Sequence, residues 1–259
     1  MPKIFNLYAK YYDLLYRDKN YLAESNYIKK LINLYKPDSK NLLDLGCGTG
    51  RHILNIAGSG IDVSGVELSE VMLEKAIENL RDKSKLHNRV KFYHGDIKSI
   101  RLKEKFDVII MLFHVMSYQN SNNDIMLTLK TIKEHLNENG ICIFDFWYGP
   151  GVLTERPEKR ERILSDDEIS IFRTSNPVMR INENIVEVNF HIDIKDENGI
   201  KIEEFAEIHS MRYLFKPEIK LFLNYFNMSL IHIEEWMTGK MLSEKSWYAT
   251  AIIGNKSEK

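Results

Sequence analysis

The sequence predicts an α/β protein in which a parallel sheet carries helices on both faces and an antiparallel β insertion follows the fifth strand. Three observations support this fold class. Apolar runs alternate with segments of helical periodicity through the first part of the chain, the order of elements that builds a parallel sheet. These runs are continuous, as expected of strands that are covered on both sides. After Gly149-Pro150-Gly151 the pattern changes to alternation, which is typical of antiparallel strands with one solvated face.

The first part of the chain supplies the parallel strands and their helices. Tyr21 to Tyr35 has helical spacing, with an apolar stripe of Ile28, Leu31, Ile32 and Leu34, and Pro37-Asp38 ends it. Five strands are predicted over residues 41–45, 61–66, 90–94, 106–112 and 141–146. Further helices are predicted over residues 50–57, from the Ser69 cap onward, and over 122–137, where Asn139-Gly140 is the stop signal.

The second part of the chain contains the insertion and the end of the core. Residues 169–173 and 185–194 alternate with period two, residues 196–199 are a turn signal, and another strand is predicted from Ile202 to Leu214. A helix at about 217–227 and strands near 230–235 and 247–253 follow. We divide the chain into an N-terminal core (residues 1–150), an insertion (151–213) and a C-terminal completion of the core sheet (214–259). The insertion is predicted either to cover a substrate pocket or to pair across a homodimer.

Composition excludes several classes of partner. The 259 residues include 36 Lys and Arg against 37 Asp and Glu, a net charge of -1 that offers no footprint for nucleic acid or an anionic membrane. No apolar run approaches the roughly 18 residues of a membrane span, and the N-terminus lacks the apolar region of a signal peptide. With Cys47 and Cys142 as its two cysteines, the chain is expected in the cytoplasm with reduced thiols. No Cys/His cluster has metal-ligand spacing, so no metal is expected.

A glycine turn is the strongest functional signal. Leu42 to Gly50 reads as a strand that ends in three glycines at alternate positions, with a helix behind them. This order places a nucleotide-like ligand against a helix N-terminus. About twenty residues further on, Glu67 follows the second strand, where a carboxylate can accept both ribose hydroxyls. Ligands of such sheets bind beyond the carboxyl ends of the strands, and the residues at that edge are Gly46, Glu67, Asp96, Phe113 and Trp147.

These residues resemble class I S-adenosylmethionine-dependent methyltransferases, over roughly residues 20–148 and 216–254. The third glycine of the turn comes too early for GxGxxG, which argues against a nicotinamide dehydrogenase. The resemblance implies a Rossmann-like seven-stranded methyltransferase sheet and S-adenosyl-L-methionine as cofactor, with S-adenosyl-L-homocysteine as product. It implies that Glu67 meets the ribose, that Asp96 meets the adenine amino group, and that Met72 and Ile97 flank the adenine. The positions implied to contact the cofactor are Tyr12, Tyr21, Asp44, Gly46, Cys47, Gly48, Gly50, Glu67, Leu68, Met72, Asp96, Ile97, Leu112 and Phe113.

A narrower resemblance lies outside the glycine turn. Short aromatic stretches at residues 12–16, 113–118 and 146–148, together with Lys19 to Glu24, are similar to sugar-nucleotide N,N-dimethyltransferases, which act on nucleotide-linked amino sugars. An antiparallel insertion after the fifth strand is also similar to that group. The resemblance implies a nucleotide sugar as the small-molecule substrate.

The catalytic candidates are Tyr118, His114 and Tyr12. An ammonium must lose a proton before its nitrogen attacks a methyl group, so a nearby base helps. Tyr118 is the first candidate, because the resemblance places it where related enzymes carry His or Tyr beside the reacting amine. His114 is second, since an unperturbed imidazole titrates near neutral pH. Tyr12 is expected to cover the sulfonium or hold the substrate. The alternative roles are packing in the pocket wall for Tyr118, a hydrogen-bonded structural role for His114 and helix packing for Tyr12.

Substrate contacts are predicted from aromatic and basic side chains. Trp147 and Tyr148 follow a strand and are expected to stack on a sugar or base, unless they only cap the core. Arg173 and Arg212, with His191 and His209, are candidates for binding a diphosphate, although solvated sheet-face residues are the commoner case. A second set, Glu203, Glu204 and Glu207, is predicted to form a solvated face.

Three functions remain open from the sequence. The first is N-methylation of a nucleotide-linked amino sugar. The second is O-methylation of a capsular or cell-surface sugar or another small metabolite, for which His114 and Tyr118 serve equally well. The third is a non-catalytic protein that only binds the cofactor. Nucleic-acid methylation is disfavoured by the balanced charge and by the stretch after the fourth strand. That stretch reads Phe113-His114-Val115-Met116 and lacks an Asn/Asp-Pro-Pro-Tyr/Phe-like sequence.

Overall fold

A parallel sheet forms the centre of the molecule. The structure is a computed structural model that describes residues 7–256. Five strands lie side by side in the order β3-β2-β1-β4-β5, all parallel. Their bounds are β1 Asn41–Leu45, β2 Asp62–Glu67, β3 Val90–His94, β4 Phe106–Met111 and β5 Leu136–Tyr148. Their carboxyl ends therefore meet at one edge of the sheet, as the sequence predicts.

Helices cover both faces of this sheet. Their bounds are α1 Leu7–Lys10, α2 Tyr12–Leu15, α3 Tyr21–Tyr35, α4 Arg51–Ala57, α5 Glu70–Arg81 and α6 Asn122–His135. One apolar cluster joins α3 and α4 to the strands, and a second cluster joins α6 to the opposite face. Side chains begin the helices: Ser69 accepts from the Met72 N–H at 3.4 Å, and Ser121 forms a capping box with Asp124.

The C-terminal segment completes a seven-stranded core. It consists of α8 Lys216–Tyr225, β10 Met228–Glu235 and β11 Tyr248–Asn255. β11 pairs antiparallel with β5 and with β10, so the core order is β3-β2-β1-β4-β5-β11-β10. This arrangement confirms the predicted fold class.

The insertion is a four-stranded antiparallel sheet that continues the core sheet. It contains α7 Gly149–Thr154, β6 Arg160–Ser165, β7 Ile169–Arg180, β8 Ile185–Asp196 and β9 Lys201–Leu214. The end of β9 pairs in parallel with β5, Tyr213 opposite Trp147 and Leu214 opposite Tyr148. On one side β5 pairs with β11. On its other side β5 pairs first with β4 and, beyond the end of β4, with β9.

The N-terminal helices lie between the insertion and the core. Tyr8, Tyr11, Tyr12 and Leu15 pack in one apolar cluster with Leu164, Ile171, Ile192 and Ile194 of the insertion and with Met72 of α5. Together, α1, α2 and the insertion therefore form a roof over the carboxyl edge of the sheet.

Some sequence expectations were wrong in detail. α6 ends at His135 instead of 137, because β5 begins at Leu136 and runs through Asn139-Gly140. Leu34 is 67% exposed, so it does not belong to the buried stripe of α3. α7 and β6 were not predicted. The prediction that the N-terminus lacks a signal segment concerns in part residues 1–6, which lie outside the described residues, as do 257–259. Across residues 7–256, no helix is long and apolar enough to cross a membrane.

Candidate functional site

The glycine turn after β1 lies against β2 and leaves room for a ligand. The N–H groups of Gly46 and Cys47 both donate to the Val66 carbonyl, at 2.8 and 3.0 Å. Gly46, Gly48 and Gly50 have φ of 87°, 56° and 76°, a region that favours glycine. A Cβ on Gly46 would lie 2.7 Å from Val115 Cγ2, whereas a Cβ on Gly48 would meet nothing within 4 Å. The open space therefore lies beside Gly48, at the N-terminus of α4.

Glu67 is fixed at the end of β2 by three backbone N–H groups. Its Oε2 accepts from Gly48 N at 2.9 Å, and its Oε1 accepts from Leu68 N and Ser69 N, each at 2.9 Å. Burial raises the pKa of the Glu67 carboxyl, and these N–H groups oppose that shift. Leu68 beside it is 60% exposed, so an apolar side chain faces solvent next to a rigidly held carboxylate.

Asp44 is a buried carboxyl that lacks a compensating partner. It is 1% exposed, and within residues 7–256 its Oδ1 has no hydrogen-bond partner. Burial and then the nearby Glu67 charge raise the pKa of Asp44 to about 8. A cation at this position would favour the ionised form, so the turn is suited to a ligand that combines polar hydroxyls with positive charge.

The other residues implied to contact the cofactor lie at the same edge, in several environments. Asp96 Oδ1 accepts from Lys98 N at 2.8 Å in the turn after β3. Met72 and Ile97 are buried but belong to separate apolar clusters. Cys47 and Leu112 pack in the cluster with α3 and α4. The structure therefore brings Asp44, Gly48 and Glu67 together, and it does not place Met72 and Ile97 in one cluster.

Tyr21 lies beside the helix that follows the glycine turn. The Arg51 guanidinium lies 4.4 Å from the centroid of its ring, and the rings of Tyr21 and His52 are 5.0 Å apart. Burial raises the pKa of the Tyr21 phenol to about 12. Tyr21 is therefore a neutral side chain held against the start of α4.

His114 is held in a strained turn against a buried carboxylate. Phe113 and His114, directly after β4, have φ of 63° and 66°, which is unfavourable for side chains of this kind. The His114 N–H donates to both oxygens of Asp145, at 3.1 and 3.2 Å. Its Nδ1 lies 2.5 Å from Asp145 Oδ2 without the alignment of a hydrogen bond. Its ring stacks on Tyr248, with centroids 4.7 Å apart.

A cavity of about 200 Å³ opens beside His114. Its walls include aromatic, basic and acidic groups: Lys19, Glu24, Phe113, His114, Asp145, Trp236 and Tyr248. Lys19 Nζ lies 4.0 Å from the centroid of the Phe113 ring and is paired with Glu24, which lies 2.8 Å from His52 Nε2. This cavity is large enough for part of a small polar substrate and carries groups of both charges.

Tyr118 belongs to a chain of three polar side chains. It ends a 3-10 turn, Val115–Tyr118, and its hydroxyl lies 2.8 Å from His209 Nδ1. His209 Nε2 lies 3.1 Å from Glu207 Oε2. Burial, and then the charges of Tyr16 and Glu207, raise the pKa of the Tyr118 phenol well above its usual value. Tyr118 is therefore a neutral phenol near neutral pH and not an independent base.

The predicted solvated face of the insertion is partly wrong. Glu207 Oε1 accepts from Tyr8 N at 3.2 Å, and Glu203 accepts a hydrogen bond from the Tyr11 hydroxyl. Glu204 is exposed, as predicted. The two other carboxylates tie the N-terminal helices to β9. Sequence alternation misses this role because the partners lie almost 200 positions away along the chain.

A phenol cluster, defined as Tyr8, Tyr12 and Tyr16, lies between Arg173 and Phe113. The Tyr8 and Tyr16 hydroxyls are 3.0 Å apart, and Arg173 Nη1 donates to the Tyr8 hydroxyl at 2.8 Å. The Tyr12 and Tyr16 rings are 4.7 Å apart, and burial raises the pKa of Tyr12 well above its usual value. Arg173 is buried, so it does not belong to a solvated sheet face.

The remaining predicted substrate residues, two on β5 and one on β9, pack against other parts of the protein. Trp147 is 9% exposed and packs with Met211 and Tyr213; within the described chain its Nε1 has no hydrogen-bond partner. Tyr148 packs on the core with Phe146. Arg212, which alternation puts on the opposite face from His209, pairs with Glu218 and donates to Asn122 Oδ1 at 2.7 Å. Arg212 therefore joins the starts of α6 and α8.

Among residues 7–256, one three-residue group has atoms close enough to hold a metal ion: His191, Asp193 and Glu204. It lies on the insertion, and Asp193 is already paired with Lys201 Nζ at 2.7 Å. His191 and Glu204 of this group are half-exposed, unlike the buried Asp44 of the glycine turn. The geometry of the turn and of His114 does not depend on it.

Comparisons with known proteins show the family to which the chain is related. Residues 36–256 match a family model described as "Methyltransferase domain". A curated relative, the dTDP-3-amino-3,4,6-trideoxy-alpha-D-glucopyranose N,N-dimethyltransferase of Streptomyces venezuelae, is 26% identical over 237 residues, covering 91% of this chain and 95% of the relative.

Two solved structures have the same fold. An S-adenosylmethionine-dependent methyltransferase from Clostridium acetobutylicum has a TM-score of 0.79 and 21% identity, covering 97% of this chain and 100% of that one. The sugar N-methyltransferase KedS8 from a Streptoalloteichus species has a TM-score of 0.78 and 19% identity, covering 95% and 93%.

Proposed function

The chain belongs to the methyltransferase domain family, and on that premise we propose that it methylates the amino group of a nucleotide-linked amino sugar. It is an S-adenosylmethionine-dependent methyltransferase. The observation that carries the acceptor is the extent of the match with the amino-sugar N,N-dimethyltransferase, 91% of this chain. So long a match reaches beyond the cofactor-binding half into the insertion that roofs the site.

The residues of the glycine turn fit S-adenosylmethionine. The space beside Gly48 can take the ligand, and Glu67, already oriented by three N–H groups, can accept ribose hydroxyls. The unpartnered Asp44 carboxyl suits the positive charge of the methionine part. When bound, this cofactor supplies an electrophilic methyl group on a sulfonium. Asp44, Gly48, Glu67, Leu68 and Asp96 are the residues that would hold it.

The protein's own contribution to methyl transfer is to position the two reactants and to exclude water from them. Holding two reactants in line can lower a barrier by roughly 7–11 kcal/mol. The roof of α1, α2 and the insertion covers the sheet edge, and its buried aromatic residues would exclude water from a substrate beside the Tyr118 ring. In such a setting an amine is favoured in its uncharged, nucleophilic form.

O-methylation is the second candidate function, and the His114–Asp145 pair favours it. A hydroxyl nucleophile needs a base more than an amine does. The His114 Nδ1 lies 2.5 Å from the buried Asp145 Oδ2, and a ring rotation that aligns an Nδ1–H donor with this oxygen would direct Nε2 toward a substrate proton. The cavity beside His114 has room for such a group.

A cytoplasmic location is part of the proposal. Cys47 and Cys142 are buried free thiols, and burial raises the pKa of both. Unreactive thiols of this kind are suited to a reducing compartment but do not require one.

Mass spectrometry tests the acceptor. The purified enzyme would be incubated with S-adenosylmethionine and with matched nucleotide sugars that carry an amino group or a hydroxyl at the same carbon. We expect a gain of one or two methyl groups on the amino sugar and none on its hydroxyl twin. Reaction of the hydroxyl twin at equal rate would favour O-methylation, and no mass gain on any amino sugar nucleotide would overturn the proposal.

A further inference from the structure

Three side chains from two parts of the chain form a continuous polar path under the roof. Tyr118 lies after β4, His209 lies in β9, and Glu207 lies two residues before it on the same face of that strand. The separations are 2.8 Å from the Tyr118 hydroxyl to His209 Nδ1 and 3.1 Å from His209 Nε2 to Glu207 Oε2. We propose that His209, oriented by Glu207, receives through the Tyr118 hydroxyl the proton that the acceptor amine loses.

The path has a defined direction. An ionised carboxylate only accepts hydrogen bonds, so Glu207 selects the His209 tautomer with the proton on Nε2. Nδ1 is then an acceptor, and the Tyr118 O–H donates to it. The phenol oxygen retains lone pairs, which can accept from an N–H group of the substrate. Because its O–H is committed to His209, the Tyr118 oxygen would meet a substrate N–H group as a hydrogen-bond acceptor.

The proton transfer balances without a phenolate. An ammonium N–H bond of the substrate breaks, and its proton forms an O–H bond at Tyr118. The original Tyr118 O–H bond breaks at the same time, and that proton forms an N–H bond at His209 Nδ1. The substrate nitrogen keeps the electron pair as a neutral amine, and the positive charge now resides on His209 beside Glu207. Because burial raises the pKa of Tyr118, a relay through the neutral phenol is easier than a resting phenolate.

The surroundings of His209 hold it in place. It is 3% exposed and contacts the rings of Tyr8 from α1 and Phe190 from β8, with centroids at 5.2 and 4.9 Å. Arg173 of β7 is the cation near this group; it donates to the Tyr8 hydroxyl and lies 5.3 Å from the Phe190 ring centroid. Glu207 is thus the counter-charge for a protonated His209, and the aromatic rings keep water from competing for the proton.

His209 is a positioning residue in this proposal, which rests on the proposed N-methylation. His209→Gln tests it, because an amide oxygen can still accept from the Tyr118 O–H but cannot take up a proton. The matched control is His232→Gln in β10. His232 Nε2 also pairs with a carboxylate two residues away, Glu234 at 2.8 Å, but outside the site.

The expected signature is a change in pH dependence. At neutral pH we expect kcat of His209→Gln to fall by about 10²-fold, within the range of general-base effects, with KM little changed. The loss should shrink as pH approaches that at which the free amine is already neutral. His232→Gln should follow the wild type. A wild-type pH profile in His209→Gln, or a loss that is equal at every pH, would overturn the relay.

Nuclear magnetic resonance of labelled histidine gives a readout without substrate. We expect His209 in the resting enzyme to carry its proton on Nε2, and both Tyr118→Phe and Glu207→Gln to shift its titration, with His232 unmoved. The opposite tautomer, or no shift in either variant, contradicts the relay. If the wild type methylates no amino sugar nucleotide, the proposed function fails, while the tautomer and titration still decide whether the path exists.

Discussion

The buried carboxyl of Asp44 makes stability of the free enzyme depend on pH in a predictable direction. Its pKa is raised to about 8, against about 3.9 in an unfolded chain. A raised carboxyl pKa means that the folded state binds the proton more tightly. The contribution to stability is therefore complete below about pH 3.9 and is lost as pH rises through about 8. At about 1.36 kcal/mol per pKa unit, the loss between pH 5 and pH 8 is about 4 kcal/mol.

Urea unfolding of the wild type and of Asp44→Asn measures this effect. The amide keeps the shape of the carboxyl but stays neutral, and three tryptophans provide the fluorescence signal. We expect the free energy of unfolding of the variant to gain about 4 kcal/mol on that of the wild type as pH rises from 5 to 8. Asp18→Asn, which changes an exposed carboxyl, should run parallel to the wild type. Parallel profiles for Asp44→Asn and wild type would refute the reasoning.

Cofactor binding offers an independent check on the same carboxyl. A cation beside Asp44 lowers its pKa, so a protonated carboxyl must release its proton as the ligand binds. Calorimetry with S-adenosylhomocysteine at neutral pH, in buffers of different ionisation enthalpy, should show proton release by the wild type and less by Asp44→Asn. Equal proton release by both proteins would mean that the positive charge of the ligand lies elsewhere.

Three further substitutions probe the site. Gly46→Ala brings a Cβ to 2.7 Å from Val115 Cγ2 at a φ of 87°; we expect about 1–3 kcal/mol of destabilisation in thermal unfolding, and unchanged stability would contradict the close approach. Glu67→Gln removes a charged acceptor of ribose hydroxyls and should cost about 1.5–3 kcal/mol of S-adenosylhomocysteine affinity by calorimetry; wild-type affinity would exclude that role. Arg212→Met takes the cationic partner from the part-buried Glu218, which keeps only the Phe215 N–H, so stability should fall by about 1–3 kcal/mol with KM for the nucleotide sugar unchanged. A raised KM at full stability would instead return Arg212 to the substrate site.

Local patterns were sufficient for the parts of the fold that depend on local causes. Continuous apolar runs located the inner strands β1, β4 and β5, because burial on both faces leaves a signal in each run. The glycine turn was identifiable because positive φ at Gly46, Gly48 and Gly50 restricts the residue type. β6 was missed because half of its six residues are charged and only Leu164 is buried.

Contacts between distant segments could not be predicted in the same way. Tyr118 and His209 lie 91 positions apart, and nothing near either residue specifies the other. Arg212 is a residue type that suits phosphate binding. However, side chains alternate between the two faces of β9, and Arg212 lies on the face opposite His209, toward α6 and α8. A search for Glu and His at positions i and i+2 of a predicted strand would have found the Glu207–His209 pair, without showing what it faces.

The parallel pairing of Tyr213 with Trp147 and of Leu214 with Tyr148 has a consequence for how substrate enters and product leaves the site. The insertion cannot swing away as a hinged flap, because that movement would tear main-chain hydrogen bonds from the central strand. The segment of α1 and α2 is attached instead through the Tyr8 N–H and the Tyr11 hydroxyl, which donate to carboxylates of β9. We therefore expect substrate entry and product exit to require movement of the short N-terminal helices and not bending of the sheet. On the proposed function, we expect substitutions in the insertion to change acceptor choice without changing affinity for the methyl donor.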